Sequence, residues 1–410
     1  MRDINFSAVD LRNFTSEQLL RYGIYVINSE RSLSYTGKLL VSTISYSFME
    51  WVITNRVKRI NALIFEDAPG EFFARTPFKE IYFNIFLSSN ITSLTYLFSG
   101  CEELIRAPYI NTCFVTGMYG MFDGCTRLKE IPVYNTSRVN CMSFMFANCS
   151  SLTAIPSLRT SEVADMNGMF SGCLSLKEVP AMDTGRVNNM SDMFCDCREL
   201  TAIPFLDTGS VISMNGMLSG CSRLKNLPPL DTGKVRLMES LFAGCLSLKE
   251  IPFLKTGRVT DMNGMFSNCE SLTAIPLLDT KGVTSMNCMF RGCTKLQDIP
   301  KFNTAGVTDM HGMFAGCTSL QSVPDLDTGN VTDMSRMFEN CSSLTSVPLL
   351  NTSSVTSMDY MFRNCESLEK LPHFNVRRVT GMWQMLSGTG ISSKPAFLSE
   401  IAVDITDIYD

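Results

Sequence analysis

VTDMNGMFSNCESLTAIPLLDTKG, residues 259–282, is one complete copy of the pattern that decides the fold of this chain. Its cysteine belongs to a series of twelve, each 24 residues after the last, with no insertion or deletion. A leucine follows each of these cysteines by three residues and a proline by seven, while a methionine precedes eleven of them by seven. The series consists of Cys101, Cys125, Cys149, Cys173, Cys197, Cys221, Cys245, Cys269, Cys293, Cys317, Cys341 and Cys365. Internal periods of roughly 20 to 50 residues are typical of solenoids.

Each unit is predicted to contain a strand, a turn and a short helix. The segment L-x-x-I-P-x-L is short and apolar, which favours a strand whose proline lies where no ladder hydrogen bond is needed. The Asp-Thr-Gly that follows has the chemistry of a turn. In V-T-x-M-x-x-M-F the apolar spacing indicates a short helix with one buried face. One unit cannot bury its apolar side alone, so the predicted fold class is an α/β solenoid of twelve 24-residue strand-turn-short-helix units.

The solenoid domain is predicted over residues 77–388. Its residues 77–100 form a degenerate first unit, with a strand at about 79–86, because apolar residues keep the register while the cysteine pattern has not yet begun. Residues 389–410 are predicted to form a C-terminal cap and an acidic tail.

Residues 1–76 do not follow the repeat and are predicted to form a small α/β domain. Strands are expected within 23–28 and 60–67, and a buried helix over 39–56. Two interpretations stay open for this domain: a cap that closes the solenoid, or an attachment domain that docks the chain to a larger assembly.

Composition and the N-terminal residues restrict the partners and the location. A formal charge of -5 gives no net attraction to phosphate backbones, so no nucleic-acid partner is expected. The most apolar run, 39–53, is shorter than the roughly 20 residues of a spanning helix, so no membrane span is expected. The first residues resemble neither a signal peptide nor a lipobox. We therefore expect a virion component or a cytoplasmic protein, or a surface protein exported by a non-classical route.

The cysteine series is predicted to be structural. Zinc requires four ligands that converge on one point, whereas cysteines in register lie along a line. Disulfides need Cβ atoms about 3.8 Å apart, less than the strand repeat of about 4.8 Å. Buried thiols instead pack as small apolar groups, so neither metal nor disulfides are expected. Four further cysteines are off register, and a reactive thiol is considered only at Cys195 or Cys288; the other two are Cys113 and Cys141.

Catalytic motifs are missing from the sequence. Its two histidines, His311 and His373, occupy variable positions of the repeat, which leaves almost no material for a Ser-His-Asp triad. Neither a P-loop nor a dinucleotide fingerprint nor an HExxH is present. The chain is therefore predicted to be no enzyme and to bind no cofactor.

Variable columns of the repeat are the candidates for partner recognition, because the invariant positions build the core. In half of the turns the two residues after the repeat leucine alternate between Lys-Glu and Thr-Ala, as at 129–130 and 153–154, which indicates a mixed solvated face. The residue after each repeat proline forms a second column, whose apolar members are the candidate partner-binding residues Tyr109, Phe205, Pro229, Phe253, Leu277 and Leu349.

The orientation of this second column is left open by the sequence. Apolar side chains are usually buried, which favours an inward or lateral column that belongs to the core. If the column faces solvent instead, Phe205, Pro229, Phe253 and Leu277 form an apolar stripe over four adjacent turns, and such patches often mark partner sites.

The string V-T-x-M-x-x-M-F-x-G-C-x-S-L, seen as VTDMNGMFSNCESL at 259–272, resembles the BspA-like leucine-rich repeat proteins. It is most similar to their methionine-rich variant, known from bacterial surface lipoproteins such as those of mycoplasmas, and the resemblance covers about residues 91–388. It implies a right-handed solenoid and, commonly, a surface adhesin or host-contact protein.

Two functions are therefore carried forward. The first is a non-enzymatic recognition solenoid, an adhesin or host-contact protein that binds a protein or glycan through its repeat face. The alternative is a structural or receptor-binding component of a phage virion or tail, such as a fibre or appendage docked by residues 1–76.

Overall fold

Three short parallel strands form a sheet at the N-terminal end of the chain. The structure, a computed structural model, describes residues 24–27, 62–65, 68–82, 84–400 and 408–409. The strands are β1 (Ile24–Ile27), β2 (Ala62–Phe65) and β3 (Asn84–Leu87), hydrogen-bonded in the order β1-β2-β3. β1 and β2 lie within the two segments that the sequence predicts as strands. The predicted helix lies outside the described residues.

The third strand begins later than the sequence predicts. The strand expected at about 79–86 is wrong in its first residues, since Tyr82 is 88% exposed and lies before β3. Strand pairing starts at Asn84 opposite Ala62, and in this register Ile85 lies opposite Leu63 with both side chains buried. The burial of this apolar pair accounts for the position of the strand.

One isolated parallel bridge joins the sheet to the repeats. Ile85 of β3 also pairs in parallel with Ile110 of the first complete turn. In the interior, the ring of Phe73 stacks on that of Phe98 with centroids 5.3 Å apart. The N-terminal sheet and the repeats therefore share one hydrophobic core.

A parallel ladder joins the turns of the solenoid. It passes through the residue before each repeat methionine, and consecutive members are 24 residues apart. The backbone bonds continue along each turn at every second residue: Gly264 N–H donates to Asn287 O at 2.8 Å and Phe266 N–H to Met289 O at 2.9 Å. The members of this ladder column are Ser93, Gly117, Cys141, Asp165, Asn189, Ser213, Leu237, Asp261, Ser285, Asp309, Asp333, Ser357 and Gly381.

The predicted strand-turn-short-helix unit is wrong in its local structure. Among the described residues, no helix or named strand lies between β3 and the 3₁₀ helix Ala396–Glu400. The V-T-x-M-x-x-M-F segment is not an α-helix, because none of its N–H groups donates to a carbonyl four residues back. They donate instead to a neighbouring turn, as Gly264 N–H does to Asn287 O, or three residues back, as Met265 N–H does to Met262 O. Positive φ at two positions of each turn makes this path feasible, as at Gly264 (58°) and Asn268 (57°). The residue before every repeat cysteine is glycine, asparagine or aspartate, the residues that tolerate such φ values.

The predicted strand at L-x-x-I-P-x-L is also absent from the repeats, because backbone hydrogen bonds there join only some of the turns. Lys129 N–H donates to Ile105 O at 2.9 Å and Lys177 N–H to Thr153 O at 3.0 Å, whereas no backbone hydrogen bond joins Lys249 to Lys225. Isolated bonds of this kind do not make a continuous ladder.

The core is a set of columns that run through the stack. Repeat leucines, valines, methionines, phenylalanines and cysteines are almost completely buried from the first complete turn to the last. Buried threonines follow the Asx position, and all their hydroxyls except that of Thr304 donate to a carbonyl of the next turn, as from Thr280 to Asn303 O at 2.7 Å. Most turns thus bond to their neighbours at the ladder and again at the threonine.

The C-terminal residues contact the last turn. Leu386 N–H donates to Ile408 O at 2.9 Å, and the Phe397 ring lies 5.3 Å from that of Phe374. Within the described residues, no helix is long and apolar enough to cross a membrane. The domain boundaries at 76 and 388 remain predictions.

Candidate binding surface

The column after the repeat prolines faces solvent. All twelve members are exposed, and the residue that follows each of them is buried. Phe205 and Phe253 are 68% and 70% exposed, while Leu206 and Leu254 are each 1% exposed. The inward orientation that the sequence favours is therefore wrong. The physical reason is the extended path after the proline, on which successive side chains point to opposite sides, so that only one of two adjacent apolar residues enters the core.

Four of the six candidate residues lie together. Phe205, Pro229, Phe253 and Leu277 occupy four consecutive turns and all are exposed; we call them the apolar stripe. Tyr109 and Leu349 are 68% and 73% exposed but lie four turns before and three turns after the stripe. The intervening members are small, polar or charged, apart from Val133 next to Tyr109: Val133, Ser157 and Ala181 on one side, Lys301 and Asp325 on the other.

Two grooves lie near the stripe. One of about 500 Å³ is lined by Phe253 and Leu277 of the stripe together with Asp279, Lys301 and Asn303. Another of about 700 Å³ contains no stripe residue, but its lining includes Pro252, which precedes Phe253, together with Lys225, Asn226, Leu227, Lys249 and Glu250. The first groove can therefore receive a side chain of a partner that covers the stripe.

The acidic groups along one flank are held by their own backbone. Each Asx side chain accepts the N–H two residues later, as Asp207 does from Gly209 at 3.1 Å. Asp231 accepts from Gly233 N–H and also pairs with Lys255 at 3.2 Å. The Gly233 N–H and the Lys255 ammonium together lower the pKa of Asp231. These carboxylates organise the turn and are partly neutralised.

The opposite flank carries two lysines that the sequence analysis did not single out. Lys225 and Lys249 are exposed members of the column that was interpreted as a mixed solvated face. Their signal in the sequence is that two neighbouring turns both have lysine at this position, with Lys-Asn at 225–226 followed by Lys-Glu at 249–250.

The repeat cysteines are buried and hydrogen-bonded. All sixteen thiols are free, and each of the twelve in register donates to a backbone carbonyl of the preceding turn, as Cys269 Sγ does to Phe242 O at 3.1 Å. Burial raises the pKa of Cys173 to about 12, so the thiol stays protonated. The description of these residues as small apolar groups is therefore incomplete, since they are also donors between turns.

The off-register cysteines do not have the properties of reactive thiols. Cys195 and Cys288 are partly exposed. Burial raises the pKa of both, and for Cys195 the neighbouring Asp196 and Asp192 carboxylates raise it further. At Cys288 the nearby Arg291 guanidinium lowers the pKa by less than burial raises it. A reactive thiol requires a net lowering of the pKa. Within the described residues, no group of three His, Cys, Asp or Glu side chains could hold a metal ion.

The two histidines lie away from the stripe. His311 is beside the ladder column, where its Nδ1 is 2.7 Å from Ser335 Oγ. Ser335 Oγ in turn donates to Asp333 Oδ1 at 2.5 Å. In a catalytic triad the imidazole lies between the serine and the carboxylate. Here the serine lies between them, so the arrangement ties turns together and does not activate a nucleophile.

One known protein family matches this chain along its repeats. The sequence model of the family described as "Mycoplasma protein of unknown function, DUF285" matches four overlapping segments, residues 70–182, 174–276, 246–347 and 319–393. No curated protein matches the chain.

Several solved structures are similar. A leucine-rich repeat protein from Eubacterium ventriosum is 17% identical with a TM-score of 0.48, and the match covers 93% of this chain and 94% of that one. The leucine-rich repeat protein TpLRR of T. pallidum is 25% identical with a TM-score of 0.34, over 46% of this chain and 84% of that one. A leucine-rich cell surface protein from Faecalibacterium prausnitzii is 16% identical with a TM-score of 0.35, over 86% and 88%.

Proposed function

Because the chain belongs to the mycoplasma DUF285 family, in agreement with its resemblance to the methionine-rich BspA-like proteins, we propose that it is a recognition protein of the adhesin or host-contact type. It is a leucine-rich-repeat solenoid. In this proposal the apolar stripe binds a protein partner, and no chemical reaction takes place.

The exposure of the stripe is the observation on which this function rests. Phe205, Phe253 and Leu277 are between 67% and 70% exposed although the core beneath them is complete. They contribute little to folding, because removing large apolar groups from water is what stabilises a fold. Contiguous exposed apolar patches on soluble proteins commonly mark interaction sites.

The chemistry of the stripe favours a protein over a glycan. Phenylalanine, proline and leucine side chains offer neither donors nor acceptors for the hydroxyl groups of a sugar. Aromatic and apolar anchors that fill pockets are the usual centre of protein interfaces. The stripe would be such a centre, and the groove between Phe253 and Leu277 would take a large apolar side chain of the partner.

The N-terminal sheet is proposed to be a cap of the solenoid. Support comes from the pairing of Ile85 with Ile110 and from the stacking of Phe73 on Phe98, which give the sheet and the repeats a common core. A docking role in a virion stays a prediction from the sequence, since most of residues 1–76 lie outside the described part of the chain.

Binding of the labelled full chain to cultured animal cells tests this function. We expect saturable binding that is lost when the cells are treated with protease and that survives treatment with glycosidases. The double variant F205S/F253S should bind at least about tenfold more weakly, since interface aromatic anchors contribute about 2 kcal/mol or more each. L349S, in the same column but outside the stripe, is the matched control. Undiminished binding by F205S/F253S would refute the proposal.

A further inference from the structure

Two lysines of neighbouring turns lie beside the apolar stripe. Lys225 and Lys249 occupy the fourth position after the repeat cysteine, in the turns that carry Pro229 and Phe253. No other two neighbouring turns both have a lysine at this position. The remaining members of this column are Ile105, Lys129, Thr153, Lys177, Thr201, Thr273, Gln297, Gln321, Thr345 and Glu369.

The charge of this pair is not compensated within the described chain. Some exposed cations pair across turns, as Arg223 does with Glu199 and Lys255 with Asp231, while others, such as Lys129 and Lys177, are in no ion pair among the described residues. None of the ion pairs among the described residues includes Lys225 or Lys249, although Glu250 lines the same groove. Like charges at neighbouring positions destabilise a stack slightly. A bound anionic group would remove this repulsion.

The groove beside the lysines is lined by several residues that carry hydrogen-bond donors. They are Lys225, Asn226, Ser247, Lys249 and Ser271, and Glu250 is the one acidic residue of the lining. Lys249 N–H makes no backbone bond to Lys225. A carboxylate is the protein side chain that matches such a set, since it only accepts hydrogen bonds and carries the opposite charge.

Resting on the proposed function of the stripe, we propose that the partner contributes an acidic and apolar protein segment. Its apolar side chains cover Pro229 and Phe253, and its carboxylates pair with Lys225 and Lys249. The other flank does not favour a basic segment to the same degree, because Asp231 already pairs with Lys255 and accepts Gly233 N–H. Charge complementarity at the edge of an apolar centre selects partners in this manner.

The size of the segment follows from the spacing of the turns. The equivalent ring centroids of Phe242 and Phe266 are 5.7 Å apart. At that spacing the three steps from Phe205 to Leu277 span about 17 Å, which about five extended residues cover at roughly 3.3 Å each.

Two synthetic peptides of about eight residues, long enough to span the stripe in extended form, test the inference. Both carry phenylalanine and leucine at alternate positions, with glutamate between them in one peptide and lysine in the other. Fluorescence anisotropy measures their binding to the full chain. The glutamate peptide should bind about tenfold more tightly than the lysine peptide, because two exposed ion pairs together contribute about 1.4 kcal/mol. Its affinity should fall as salt is added.

Variants separate this inference from the proposed function. K225Q/K249Q should lose the tenfold preference for glutamate, while K129Q/K177Q, which changes isolated lysines of the same column, should keep it. Equal binding of both peptides, binding of neither, or an unchanged preference in K225Q/K249Q would overturn the acidic partner. F205S/F253S tests the stripe itself. If this variant loses peptide binding while K225Q/K249Q keeps both its binding and its preference for glutamate, the stripe remains the proposed site and only the acidic partner is refuted. If F205S/F253S binds like the unaltered chain, the stripe is not the site.

Discussion

Phe253 is 70% exposed, and Leu254, the next residue, is 1% exposed. This single alternation separates the surface that we assign to recognition from the core that holds the turns together. It also gives a direct comparison of two apolar residues that are adjacent in the chain.

Serine at position 253 should leave the free energy of unfolding within about 0.5 kcal/mol of the original value, because exposed side chains contribute little to stability. Alanine at position 254 should lower it by about 2 to 4 kcal/mol, because a buried leucine leaves a cavity. Urea unfolding of F253S and L254A checks both. A loss of more than about 1.5 kcal/mol in F253S would place the column in the core.

The threonine column offers a second matched pair. Thr280 Oγ1 donates to Asn303 O at 2.7 Å, whereas the equally buried Thr304 Oγ1 has no hydrogen-bond partner. T280V should therefore cost about 1 kcal/mol, and T304V should be neutral or slightly stabilising. Thermal unfolding of the two variants measures the difference. Equal losses would show that the hydroxyl of Thr304 is bonded in solution.

Thiol labelling should distinguish the two classes of cysteine. In the native chain we expect alkylation only at the four partly exposed thiols, Cys113, Cys141, Cys195 and Cys288. The twelve in register should react only after unfolding, because burial keeps them inaccessible. In eleven of them burial also raises the pKa. The exception is Cys101, which is equally buried, and whose pKa a hydrogen bond with Cys125 lowers to about 7. Mass spectrometry of the alkylated, unreduced protein identifies the sites. Disulfides between adjacent turns, or rapid labelling of Cys269, would contradict this packing.

The solenoid should lose stability at alkaline pH. Burial raises the pKa of Cys173, Cys293 and Cys365 to about 12, from an ordinary value of 9.0. The unfolded chain then releases thiol protons above about pH 9 while the folded chain retains them. The contribution of these thiols to the free energy of unfolding is therefore complete below the pKa of the unfolded chain and is lost as the pH rises towards the pKa of the folded chain. Urea midpoints at pH 8 and pH 10 test the sign. An unchanged midpoint would mean that the thiols titrate normally in the fold.

The sequence predicts the register of the stack but not its local structure. The spacing of Cys269 and its equivalents identifies the turns, since identical positions of a repeat must meet in the core. The apolar residues between Val259 and Phe266 have helical spacing. Positive φ at Gly264 and Asn268 and hydrogen bonds to the next turn nevertheless give the backbone a different path. Hydrogen bonding between turns, which periodicity cannot report, decides that segment.

The site was predicted as a column but not in its orientation. Phe253 and Leu254 are both large and apolar, so no pattern of polarity identifies which one enters the core. The lysines at 225 and 249 were overlooked for another reason. Each is an ordinary surface residue, and only the groove that both lysines line identifies the pair as a candidate site.

Photo-crosslinking from the apolar stripe is the most direct test of whether the stripe contacts a protein partner. The chain is made with a photoreactive benzoylphenylalanine in place of Phe253 or, as a control, of Leu349, and it is irradiated on intact animal cells. The account predicts one protease-sensitive, cell-surface protein crosslinked from position 253 and absent from position 349. Crosslinking from position 349 alone, or the same products from both positions, would contradict recognition by the stripe.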